Sequence, residues 1–214
     1  MCGRFAFYSP REAIGELFGV DFPLALEPRY NVAPSQYVAA IRADQQGQPA
    51  AAMLRWGLVP SWAKDAAIGH RMINARAETV AEKPSFRAAF RRRRCVILAD
   101  GFYEWQAGAD GKQPHYISAA DGQPFAMAGL WEHWERGPEP LETCTIITTE
   151  ANQFMAELHQ RMPVVLMPEQ VPEWISAGGE QLLQPCAEDR LIARPVSRAV
   201  NNPTHQGADL IAPL

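Results

Sequence analysis

Long stretches of this chain alternate or cluster β-branched and aromatic residues, and that pattern limits what it can fold into. Tyr37 to Arg42, Ala51 to Leu58, Arg94 to Ala99, Phe102 to Gln106, Pro114 to Ser118, Phe125 to Trp131 and Cys144 to Thr149 all read as strands. The turn dipeptides Asp110-Gly111 and Asp121-Gly122 fall between successive runs, which favours antiparallel hairpins over βαβ crossovers. Phe5 to Tyr8 is a further short strand, followed by Ser9-Pro10-Arg11-Glu12, which has the form of a capping box with proline at the first helical position. Ala13, Ile14, Leu17 and Phe18 then supply the apolar stripe of a helix that Gly19 stops. Other helices are expected at Ser85 to Arg92, Asn152 to Leu158 and Pro168 to Ala177. The predicted fold is α+β: a single domain over residues 1–214 with a barrel-like, mainly antiparallel β core, flanking helices, and Thr204 to Leu214 as a tail packed upon it. With 214 residues and 47% hydrophobic content, such a core can be filled.

The cysteines, at positions 2, 95, 144 and 186, show no CxxC pairing and no metal-ligand spacing with the histidines. A zinc site or disulfide framework is therefore not expected, and reduced thiols in a cytoplasm fit better. No secretory leader or membrane-length apolar run is present. The formal net charge of −4 conceals a basic stretch. Between Arg55 and Arg94 ten basic residues stand against three acids, and over the whole chain arginine outnumbers lysine 17 to 3. Arginine's planar fork suits phosphates and bases, although a GC-rich genome would leave the same bias.

Within that stretch, Trp62 is a candidate for stacking on a base, Phe86 for wedging beside one and Arg76 for holding a phosphate. Trp56 reads as core, and the Arg91 to Arg94 run suits a solvated helix face as well as a contact. Strand alternation would set Glu104 on the face opposite Tyr103 and Trp105, where a carboxyl group can act as a general acid, or serve only as a polar strand residue. His159 follows a helix-like run and precedes Gln160 to Leu166, a break into a strand; it is either a proton shuttle or a helix-terminal dipole partner. His70, His115, His133 and His205 are expected to be surface or structural.

Cys2 is an ordinary second residue unless Met1 is removed, in which case its amine and thiol form a 1,2-aminothiol. The amine can condense with an aldehyde to an imine, and the thiol can close on the imine carbon to a thiazolidine. Reference pKa values of about 8 for the amine and about 8.5 for the thiol keep a usable neutral-amine fraction near neutral pH.

Met1 to Phe5, Arg29 to Pro34, Trp56 to Lys64, Asn74 to Thr79, Gly101 to Trp105, His159 to Leu166 and Pro195 to Val200, taken in order, closely resemble the SRAP (SOS response-associated peptidase) family nearly end to end. The resemblance implies a protein that recognises abasic sites in single-stranded DNA and becomes covalently attached through the processed N-terminal cysteine, sensing and shielding the lesion. It assigns Cys2 as nucleophile, Asn74, Glu104 and His159 as the polar active-site set, and Arg4, Trp62, Arg76, Phe86 and Arg161 as the DNA groove. No metal, nucleotide or organic cofactor is required, no membrane is involved, and a monomer is expected. Asn201 stands where a glycine is common, Gln160 where many relatives are acidic, and Ala63 where some carry a second aromatic. The alternative is an N-terminal-nucleophile (auto)peptidase built on the same residues; a third reading is a non-covalent DNA-binding module.

Overall fold

The computed structural model describes residues 2–23, 26–109, 111–176 and 179–214. Its strands are β1 (Phe5–Phe7), β2 (Arg29–Val32), β3 (Tyr37–Ala43), β4 (Pro49–Trp56), β5 (Asn74–Arg76), β6 (Arg94–Ala99), β7 (Gly101–Gly108), β8 (Gly111–Ala119), β9 (Phe125–Trp134), β10 (Leu141–Glu150), β11 (Arg161–Pro163), β12 (Val165–Leu166) and β13 (Leu191–Pro195). The α-helices are α1 (Arg11–Phe18), α2 (Arg87–Arg92), α3 (Gln153–Ala156) and α4 (Val171–Ser176), with several short 3-10 turns between elements. The architecture is α+β, as the alternation predicts.

The strands form two sheets. One runs β13-β8-β7-β1-β2 and is antiparallel throughout. The other runs β11-β10-β4-β3-β6-β9-β12, and a further pairing of β9 with β10 brings its middle strands into a ring-like sheet. Two pairings in it are parallel, β10 with β4 and β10 with β5.

A five-stranded sheet with both faces covered must carry apolar side chains on alternate positions of both faces. β7 does so: Phe102 enters the main core together with ring residues such as Leu54, Ile97 and Ile146, whereas Tyr103 enters a second cluster with Ala6, Tyr116, Val196, Val200 and Leu210. The second cluster is built largely from the C-terminal segment, so the expected packing of Thr204 to Leu214 is observed. Leu210 is buried there, and Val196 bridges Pro213.

Three local expectations are corrected. Ser9 does not cap α1: its hydroxyl and backbone N–H, with the N–H of Tyr8, all donate to Asp100, and Pro10 takes the N-cap position without a side-chain bond. A buried carboxylate with three donors outcompetes a local cap. The turn at Asp121-Gly122 forms, with Gly122 at φ +73°, but it carries the chain from β8 in one sheet to β9 in the other, so no hairpin results. The run Ala51 to Leu58 stops at Trp56 because Gly57 turns to φ +120°. The hairpin joining β7 and β8 is present, although Asp110 lies outside the described residues, as does Ala177 at the end of the predicted last helix. That helix begins as a 3-10 turn over Pro168–Gln170 and becomes α4. Among the described residues no helix is long and apolar enough to cross a membrane.

Candidate active site

Cys2 is buried against the inner face of the five-stranded sheet, within the main core. Two neighbouring features fix it there. Phe5 pairs with Phe102 and the Tyr103 N–H donates to the Arg4 carbonyl at 3.0 Å, which draws the N-terminal segment along β7. The Phe5 ring also packs on Trp56 with centroids 5.2 Å apart, and the Trp56 indole N–H donates to the carbonyl of Ile73 at 2.9 Å. Trp56, correctly read as core, thus couples β1 to the residue immediately before Asn74.

Asn74 opens β5, a three-residue strand held in register by β10, where it pairs with Ile146. Its Nδ2 donates to the carbonyl oxygen of Cys2 at 2.8 Å. Its Oδ1 is buried and has no hydrogen-bond partner among the described residues. Glu104 lies on the face of β7 opposite Tyr103, as alternation predicts, and is only 3% exposed. It is close enough to act on Cys2: burial pushes the Cys2 thiol well above its ordinary range, and the Glu104 carboxylate pushes it further the same way, against a smaller lowering by the backbone N–H of Arg4.

His159 follows α3, whose N-cap is Asn152; the Asn152 side chain accepts from Met155 N–H at 2.9 Å. The helix is shorter than expected, four residues, and the His159 N–H still donates to the Met155 carbonyl at 2.8 Å. Its Nδ1 is committed to the backbone of Arg161, 3.0 Å from N and 3.1 Å from O. The Gln106 side chain reaches from β7 to the Glu157 carbonyl at 3.0 Å, which ties the His159 loop to the strand that carries Glu104. The structure therefore gathers Cys2, Asn74 and Glu104 and ties the loop bearing His159 to β7 through Gln106.

The residues expected to line a DNA groove divide. Arg76 is exposed, two positions from Asn74 on the same strand. Trp62 is 51% exposed on a loop anchored by the Trp134 indole, which donates to the Ala63 carbonyl at 2.7 Å. Arg161 forks onto Glu78 and also donates to the Thr148 carbonyl at 2.6 Å; this pairing holds the Glu78 carboxyl below its usual range. Arg4 bonds Asn31 and the Val200 carbonyl. Phe86 is only 8% exposed and joins the main core, so its ring is a packing residue rather than an open wedge. The arginine run splits too: Arg91 and Arg92 are exposed, Arg93 pairs with Glu132 at 2.8 Å, and Arg94 covers Phe90 and Trp174. Among the described residues no three His, Cys, Asp or Glu side chains converge as metal ligands.

Two residues near the site escaped the sequence reading. Asn31 stood only as one letter of a motif, yet it is completely buried within a run of strand residues, and a buried amide among apolar neighbours demands partners. Asn201, noted only as a departure, accepts a hydrogen bond from the indole of Trp105 at 2.7 Å, beside Glu104.

Residues 1–203 match the family described as SOS response associated peptidase (SRAP). The chain belongs to the SRAP family. It is 45% identical to the abasic site processing protein YoaM of Bacillus subtilis, over 99% of this chain and 97% of that one. It is 37% identical to the abasic site processing protein YedK of Escherichia coli over the whole of both chains, and 33% identical to the abasic site processing protein HMCES of Xenopus tropicalis, over 88% of this chain and 67% of that one. A solved protein from Bacteroides thetaiotaomicron shares the SRAP chain's fold over the full length of both, with a TM-score of 0.89 at 24% identity. A second, from Bordetella bronchiseptica, gives 0.79 at 27% identity over 92% of this chain and all of that one.

Proposed function

We propose that this SRAP protein captures abasic sites in single-stranded DNA by forming a thiazolidine through Cys2 after Met1 is removed. The observation that carries the reading is the 2.8 Å hydrogen bond from Asn74 to the Cys2 carbonyl, which holds the second residue beside Glu104. The relatives named as abasic site processing proteins supply the substrate class.

An abasic deoxyribose is mostly a closed hemiacetal, so its aldehyde must first be released. In this reading His159 and Glu104 move protons at the ring oxygen and hydroxyl during opening. The α-amine of Cys2 then adds to C1′, and loss of one water, assisted by Glu104, gives the imine. The buried Asn74 Oδ1 is an acceptor within reach of the residue that carries this amine. The sulfur finally adds to the imine carbon while its proton passes to nitrogen, so closure needs no oxidant or reductant. Holding the reactants together makes condensation effectively unimolecular, and Arg76, with Trp62 further along, would position the flanking strand.

Incubation with a single-stranded oligonucleotide carrying one abasic site should give a heat-resistant protein–DNA band. Cys2→Ala should abolish it while leaving an imine that borohydride traps, and Asn74→Ala should slow its formation at least tenfold. The same band from undamaged DNA, or peptide turnover without DNA, would contradict the reading.

A further inference from the structure

We propose that Asn31 is a positioning residue for DNA capture: with the Val200 carbonyl it clamps Arg4 by Nη1 so that Nη2 meets a backbone phosphate beside the lesion. The inference rests on the function just proposed and adds to it the residues that aim the phosphate contact.

Asn31 is completely buried on β2, and its amide has one possible orientation. Nδ2 is surrounded by the carbonyls of Asn202 at 2.9 Å, His205 at 2.9 Å and Val200 at 3.2 Å, so Oδ1 must point the other way, where it accepts from Arg4 Nη1 at 2.7 Å. The Val200 carbonyl takes the same Nη1 at 2.9 Å. Gln206 closes the arrangement by donating to the Asn31 carbonyl at 3.0 Å. The C-terminal segment is thereby wrapped around one side chain that faces the segment carrying Cys2.

Both acceptors on Arg4 are neutral. Among the described residues no carboxylate pairs with Arg4, its Nε is buried without an acceptor, and its two side-chain hydrogen bonds both leave from Nη1. Burial lowers its pKa, which is the mark of a cation held where its charge is poorly compensated. Arg93 and Arg161 each have a glutamate, whereas Arg29 and Arg94, like Arg4, bond only neutral acceptors; what sets Arg4 apart from these is its place two residues from Cys2. An arginine two residues from the reactive cysteine, saturated at Nη1 and uncompensated elsewhere, has the chemistry of an anion site. A DNA phosphate is the anion that the proposed substrate brings.

The test measures adduct formation with abasic single-stranded DNA as a function of DNA and salt concentration, in the full-length protein. Each phosphate contact on a single strand contributes about 0.7 to the slope of log affinity against log salt. Asn31→Ala should flatten that slope by about this amount and raise the half-saturating DNA concentration several-fold, with the loss falling there rather than in the limiting rate. Arg4→Gln should do the same, and the double variant should lose no more than either alone. A merely structural Asn31 would lower the melting temperature and leave the slope intact, and that result overturns the proposal. Should Asn31→Ala fail to fold, the Nε–H NMR signal of Arg4 in the wild-type protein decides: it should move on titration with undamaged oligothymidylate, and an unmoved signal overturns the clamp. Absence of any wild-type adduct would instead count against the function, since the titration needs no lesion.

Discussion

Cys2 is held through its carbonyl by Asn74, the backbone N–H of Arg4 lies against its sulfur, and burial pushes its thiol up. Burial acts in the same direction on Cys95 and Cys144, which lie wholly inside the ring-like sheet, and on Tyr116: each is pushed above its ordinary range. For such groups the native state favours the neutral form, so their contribution to stability is complete below the unfolded-state pKa and is lost as pH rises beyond it. Each contributes about 1.4 kcal/mol per pH unit once its unfolded form ionises. The melting temperature should therefore be level between pH 6 and 8 and fall steadily from about pH 9 to 11; a melting temperature that stays level to pH 11 would contradict the buried neutral thiols. At this scale Cys2, Glu104 and His159 stood out as candidates, a cysteine beside the initiator, a carboxylate among aromatic residues and a histidine before a strand, and the family resemblance gave them roles. Asn31 did not stand out, since its meaning lies in three carbonyls about 170 positions away.

At the scale of elements, the loop after β4 must present Trp62 and return the chain to Asn74. It does so by crossing itself at two glycines. A Cβ on Gly69 would lie 2.6 Å from the Gly57 carbonyl oxygen, and one on Gly57 would lie 2.7 Å from that of Gly69, so backbone meets backbone and neither can swing aside. Hydrogen bonds from Gly57 N–H to Cys144 and from Leu58 N–H to Met72, at 2.8 and 3.1 Å, pin the crossing two residues from Asn74. Gly69→Ala should cost about 1–3 kcal/mol, read as a lowered denaturation midpoint, and should slow adduct formation by displacing Asn74; an unchanged midpoint would mean that the crossing carries no strain. The longer strands were legible because five or more consecutive residues display their pattern. Short β5 was not, because it is a strand only through its partner β10. Asp121-Gly122 signalled a reversal, but turn chemistry says nothing about which sheet receives the next strand.

Over the whole molecule, both ends of the chain converge on one sheet. β1 lies between β7 and β2, presenting Cys2 toward the main core, while the C-terminal segment covers the opposite face and reaches round to Arg4 and Trp105. Such closure follows from an apolar sheet that must be buried twice. It also makes Cys2 part of the folded core, beside Asn74 of β5 and Glu104 of β7. The alternating pattern implied the two-sided burial; which segments supply each cover depends on contacts between distant parts of the chain. The central claim is a bond from both heteroatoms of Cys2 to one sugar carbon. Intact-mass analysis of the protein exposed to abasic single-stranded DNA and then nuclease-digested, with fragmentation of the N-terminal peptide, tests it directly. The account predicts a chain lacking Met1 that carries the sugar-phosphate remnant less one water, with the added mass on Cys2 alone and no free thiol there; an adduct on another residue, or on a chain that retains Met1, would contradict it.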